Sequence, residues 1–177
     1  LKIRTGGGVA EKFAQALGVS SFVKPAPESY ELLSTGVADG VFFPMESVPA
    51  FKLESIIKYG TLFPGGFYSV TFAFIMNEGK WNALPKADQD AILSVSGEHL
   101  TRRAGKGWDD ADRAAEETMK KAGVQLSQAP PALLAEMKAK AALLKQDCIK
   151  AAAAKGGDAT AALAEFRAEL KKVAAEK

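Results

Sequence analysis

The sequence predicts an α/β fold in which a sheet-building front half leads into a helical back half. Thirteen of the fifteen Phe, Tyr and Trp residues stand before residue 82. In that front half, short β-branched or aromatic runs alternate with short amphipathic runs, with Gly and Pro at the junctions; strands and helices layered on one another leave this pattern. From Pro131 to Lys177, sixteen of 47 residues are Ala, interspersed with Lys and Glu, a composition suited to long helices.

Lys2–Thr5 reads as a strand, stopped by Gly6-Gly7-Gly8. Val9–Leu17 reads as a helix with Val9, Phe13, Ala16 and Leu17 on one face, closed by Gly18. Ser20–Lys24 is a strand. Pro27 suits the first position of a helix reaching Ser34, with Glu28 and Glu31 at its positive end. Val41–Phe43 is a short strand ended by Pro44, Val48–Lys52 a short helix, and Ile56–Phe63 extended. After the Pro64-Gly65-Gly66 turn, Phe67–Met76 gives the strongest strand pattern, apolar on both faces, which predicts a central strand of a covered sheet. Asn77–Leu84 reads as a helical turn. A helix over about 88–122 follows, with Ala104, Trp108, Ala111, Ala115 and Met119 as its apolar stripe; Gly97, Gly105 and Gly107 weaken it and invite a bend. Val124–Ser127 is a short strand. Helices then run from Pro131 to about Lys155 and onward from Asp158 as N-cap.

Composition excludes several classes. The 177 residues suit one domain or one lobe of a larger protein, and bury enough surface to need no disulfide or metal. One Cys rules out an internal disulfide, and one Cys with one His falls short of the four ligands of a structural zinc site. With 23 basic and 21 acidic residues, there is no electrostatic case for nucleic acid. No run has the length of a membrane-spanning helix. The chain opens on Leu1 without Met or signal peptide, which reads as a mature or truncated start.

Arg4 is the charge most suggestive of function. It ends a strand just before three glycines and a helix start, where backbone N–H groups attract anions and a guanidinium adds a fork suited to a carboxylate or phosphate. A solvated surface Arg is the plainer alternative. The glycines match neither a Walker loop nor a dinucleotide fingerprint, so no cofactor is expected. In Asp39-Gly40-Val41-Phe42-Phe43-Pro44, Phe42 and Phe43 point to opposite faces; if one lines a pocket beside Arg4, that pocket suits an acid with an apolar or aromatic body. His99 sits among Glu98, Arg102 and Arg103, a solvated helix face. Cys148 reads as a small apolar filler, and Trp81 and Trp108 as packing anchors.

Several segments are familiar in series: Lys2-Ile3-Arg4-Thr5-Gly6-Gly7, Ala16-Leu17-Gly18, Pro27-Glu28-Ser29-Tyr30-Glu31-Leu32-Leu33, and Gly36-Val37-Ala38-Asp39-Gly40 with Pro44. Phe51-Lys52-Leu53, Lys58-Tyr59, Met76-Asn77 with Trp81, Leu84-Pro85 with Asp88-Gln89, and Gly107-Trp108-Asp109 continue it. Up to about residue 145 this order resembles the C-terminal part of the solute-binding proteins of TRAP (tripartite ATP-independent periplasmic) transporters.

The resemblance implies one lobe of a two-lobed, periplasmic-binding-protein-like fold with a mixed sheet flanked by helices. Residues 1–128 would form the ligand-binding lobe and 129–177 a helical tail, with the N-terminal lobe absent. It implies a periplasmic binding component, not an enzyme, that delivers a small organic acid to membrane permease subunits. Arg4 matches the family's carboxylate-pairing Arg, with backbone around Thr5 and Gly6 helping. Phe43 stands where members that bind polar acids often carry Asn, which implies an apolar or aromatic monocarboxylate such as a 2-oxo acid. Phe43 and Tyr68 would shape the wall. Two other classes stay open: an enzyme acting on an anionic substrate, and a helical interaction module docking through the Ala-rich tail.

Overall fold

In the computed structural model, which describes residues 1–176, the front half builds a three-stranded parallel sheet. Strand β1 (Lys2–Thr5) lies between β2 (Ser20–Val23) and β3 (Gly40–Val41), giving the order β2-β1-β3. Helix α1 (Gly8–Ala16) carries the chain from β1 to β2. A 3₁₀ turn (Ala26–Glu28) and helix α2 (Ser29–Ser34) carry it back past β1 to β3. Register pairs Arg4 with Phe22 on one side and with Val41 on the other. The approach at Gly40 is close: a Cβ there would stand 3.0 Å from Ile3 Cδ1, so a larger residue would make the Ile3 side chain give way.

A second, two-stranded sheet pairs β4 (Tyr59–Leu62) with β5 (Gln125–Gln128), also in parallel. The sheet expected to be mixed is therefore parallel in every pairing among the described residues. Helical crossovers explain this, since each returns the chain to the same end of the sheet before the next strand begins.

The core joins the two sheets. Val48 of α3 (Ser47–Ala50), Leu53, Met119 and Val124 form its buried centre. Leu33, Val41, Phe43, Phe51 and Leu126 are among the residues packed against it. Met119 comes from α6 (Gly97–Lys121), which also buries Ala115; its Asp112 accepts the Glu46 N–H at 3.0 Å. The helix expected over 88–122 is two, α5 (Lys86–Ser94) and α6, parted where Gly97 takes φ 62°. Of the anticipated stripe, Ala104, Trp108 and Ala111 remain exposed, Trp108 against the ring of Phe72 at 4.9 Å. Trp81 lies in α4 (Glu78–Asn82). The tail forms α7 (Pro131–Ala153), packed on α1 and burying Met137, and α8 (Ala159–Ala175), capped by Asp158. Cys148 is exposed on α7 rather than a core filler, and His99 is exposed on α6.

The largest departure from the sequence reading is Phe67–Met76, which forms no ladder strand. Phe72, Phe74 and Ile75 are 68%, 94% and 86% exposed. A segment apolar on both faces needs strands beside it and layers above and below, and among the described residues no strand pairs with this one.

Candidate ligand-binding site

The strand order sets where a ligand would lie. In open parallel sheets, binding crevices form beyond the carboxyl ends of strands where the order reverses. Here β2 lies on one side of β1 and β3 on the other, so the reversal falls between β1 and β3. Their carboxyl ends carry Arg4 and Thr5 on one strand and Val41 leading into Phe42 and Phe43 on the other. The Phe42 N–H extends the ladder by donating to the Arg4 carbonyl at 3.0 Å.

Arg4 is only 3% exposed. Its Nε–H and one Nη2–H both donate to the Lys24 carbonyl, at 2.8 and 2.6 Å. A guanidinium has five N–H groups, so the outer Nη1–Nη2 edge keeps its donors, and that edge has the spacing of a carboxylate. The guanidinium lies 4.6 Å from the centroid of the Phe43 ring, which stacks in turn on Phe51 at 5.6 Å. Phe43 is thus the platform under Arg4 as well as an aromatic surface beside it. Among the described residues no carboxylate lies within ion-pair distance of Arg4, and the nearby Glu28 is engaged by the Lys24 ammonium at 3.2 Å. Burial lowers the Arg4 pKa from its ordinary value, with Tyr68 and Glu28 pulling it back; a guanidinium stays charged at neutral pH. A buried cation without a protein counter-ion is a costly arrangement that an incoming anion relieves.

Tyr68 closes one side. Its hydroxyl donates to the Phe42 carbonyl at 3.3 Å. Burial raises its pKa, which Arg4 opposes and Glu46 reinforces, so the phenol stays protonated as a hydrogen-bond donor at neutral pH. Phe67 holds this corner: its ring meets Phe13 at 4.9 Å, Phe42 at 4.7 Å, Phe63 at 4.9 Å and Tyr68 at 5.8 Å.

The structure therefore brings Arg4, Phe43 and Tyr68 together. Gly6 stands beside them, exposed, and a Cβ on it would meet Arg4 Nη2 at 3.9 Å. Thr5 is fully buried, and its hydroxyl donates to Glu11 at 2.6 Å, so its side-chain proton is already committed. Two participants escaped the sequence reading. The Lys24 carbonyl is backbone and leaves no residue signature. Phe67 did stand out as apolar, but only as one face of a strand.

A buried guanidinium stands at the switch point of a parallel sheet, set among aromatic rings, an arrangement chemically suited to receiving an anion. The chain belongs to the DctP family, bacterial extracellular solute-binding protein family 7, whose model matches residues 1–151. It is similar, at 51% identity over 98% of its length and with a TM-score of 0.92, to a TRAP periplasmic solute-binding protein from Bordetella bronchiseptica solved with bound (R)- and (S)-mandelate; it covers 55% of that chain. A marine metagenome TRAP solute-binding protein specific for aromatic acid ligands, solved with 3-hydroxybenzoate, is 32% identical with a TM-score of 0.78; the match covers 89% of this chain and 50% of that one. A Comamonas testosteroni protein named outer membrane transporter protein TsaT is 28% identical over 92% of this chain and 48% of its own length. The chain spans about half the length of these relatives. No helix among the described residues is long and apolar enough to cross a membrane.

Proposed function

We propose that this chain is the C-terminal lobe of a periplasmic TRAP-type solute-binding protein whose cargo is an aromatic monocarboxylate. The observation that carries the reading is Arg4, buried, aimed by the Lys24 carbonyl, lying on Phe43 and lacking a carboxylate partner among the described residues. The ligand carboxylate takes the free edge of Arg4, with the Gly6 backbone beside it, while the ligand's apolar body meets Phe43 and Tyr68. Charge-assisted bonds of this kind are the strong ones, and they strengthen as water is excluded.

Residues 1–128 supply the site and 129–177 the helical tail. An N-terminal lobe, matching the extra length of the relatives, supplies the opposite wall and the partner strands for Phe67–Met76. Closure of the two lobes traps the acid, and the closed form is what permease subunits in the membrane would read.

A ligand panel on the two-lobed protein tests this by thermal shift. Benzoate and mandelate at a hundred times their Kd should stabilise it by about 2.7 kcal/mol, whereas a hexuronate should leave the melting temperature unchanged. Stabilisation by the sugar acid and not by benzoate would refute the assignment.

A further inference from the structure

Glu11 lies in the first turn of α1 and gathers three side chains. Its carboxylate accepts from the Thr5 hydroxyl at 2.6 Å, the Ser21 hydroxyl at 2.9 Å and the Gln15 amide at 3.0 Å. These donors sit on β1, β2 and α1, so one carboxylate staples all three elements, reaching the last residue of β1 and the second residue of β2. Thr5 oxygen also receives the Gly7 N–H at 3.4 Å, which shapes the turn after Arg4.

The staple leads to the ligand site by a short path. Thr5 pairs with Val23 in the ladder, and the Thr5 carbonyl accepts the Lys24 N–H at 3.2 Å. The other end of Lys24 is the carbonyl that takes both the Nε–H and an Nη2–H of Arg4. Whatever fixes Thr5 against β2 therefore fixes the oxygen that aims the guanidinium.

We propose that Glu11 is a positioning residue of the anion site, acting through Thr5 and Ser21 on the Lys24 carbonyl to hold the Arg4 fork in register with a ligand carboxylate. This rests on the assignment of Arg4 as the carboxylate anchor. Glu11 touches no ligand; without it the β1–β2 end slackens, Lys24 loses its fixed position, and Arg4 meets the carboxylate with one hydrogen bond where it otherwise makes two. Thr5 then belongs to the support of the site rather than to its ligand contacts.

The test measures benzoate affinity of the two-lobed protein by calorimetry. Glu11→Ala should weaken binding by about tenfold, and Thr5→Val, which keeps the shape and loses the hydroxyl, by a similar factor, as is typical of a lost hydrogen bond to a charged group. Glu11→Gln, which keeps one carbonyl acceptor, should restore part of the loss, as should Thr5→Ser. The decisive readout is the cycle with Arg4→Lys. An ammonium has no fork to orient, so adding Glu11→Ala to Arg4→Lys should change the Kd less than about twofold. Equal losses in both backgrounds would show that Glu11 only stabilises the fold and would overturn the proposal, as would benzoate affinity unchanged by Glu11→Ala. If Glu11→Ala fails to fold, Thr5→Val carries the same cycle. A wild-type protein that binds benzoate independently of Arg4 would instead overturn the anchor assignment, and the positioning role with it.

Discussion

Replacing Arg4 by Met tests the anchor while keeping the apolar stem. The substitution removes a charge that is 3% exposed and has no carboxylate partner among the described residues. An end-on fork makes two hydrogen bonds to the ligand carboxylate, each contributing about 1.5–3 kcal/mol when a charged group takes part. Leaving that carboxylate facing an apolar wall also costs several kcal/mol, so the expected loss is about 3–5 kcal/mol, roughly a hundredfold to a few thousandfold in Kd. The unliganded protein should respond much less. It loses the bonds from Nε and Nη2 to Lys24, but it also sheds the cost of burying an unpaired charge. Calorimetric titration of benzoate into the two-lobed protein, beside thermal melts without ligand, separates these effects. A loss below about tenfold, roughly 1.4 kcal/mol, refutes the role given to Arg4. So does a loss matched by an equal fall in unliganded stability, which would make Arg4 structural.

Four further outcomes follow from the same geometry. Phe43→Asn removes the surface under the guanidinium and the stack on Phe51, so it should weaken benzoate by about fivefold to thirtyfold, about 1–2 kcal/mol, in the same titration. Gly60→Ala places a Cβ 2.8 Å from Leu126 Cδ2 between β4 and β5, and should cost about 1–3 kcal/mol in urea unfolding. Thr5 bonding, with help from Ser21 and Gln15 and against a smaller opposing effect of burial, holds the Glu11 carboxyl below its ordinary pKa. That stability is present above the unfolded-state pKa and is lost as pH falls through the folded one. Urea midpoints should therefore drop more for the wild type than for Glu11→Gln as pH falls from neutrality through the carboxylate range. Amides of residues 70–76 should exchange rapidly in this lobe alone and be protected once an N-terminal lobe is joined; rapid exchange in both would rule out a strand role for the segment.

Much of the fold was legible because local pattern and tertiary demand agreed. Lys2–Thr5, the helix after Gly8, the tail helices and the Asp158 cap all follow from periodicity and punctuation that the packing does not override. Phe67–Met76 shows the limit. Its alternation reported a demand for burial on both faces, but whether a partner strand stands beside it depends on pairing with residues distant in sequence, and hydropathy does not carry that information. Gly97 was legible as a weak point, whereas the complete break there depends on a positive φ that only the backbone reveals. At the site, Arg4 stood out by residue type and position. The Lys24 carbonyl, the Phe67 cluster and the Glu11 staple did not, because each exists only once residues distant in sequence are brought together.

A structure of the two-lobed protein with bound benzoate would show the Arg4 anchor at work. The ligand carboxylate should lie at hydrogen-bonding distance, about 2.7–2.9 Å, from the outer Nη edge of Arg4, with its ring against Phe43 and Tyr68 and the Lys24 carbonyl still holding the inner edge. A benzoate bound elsewhere, or one whose carboxylate faces away from Arg4, would contradict the anchor assignment.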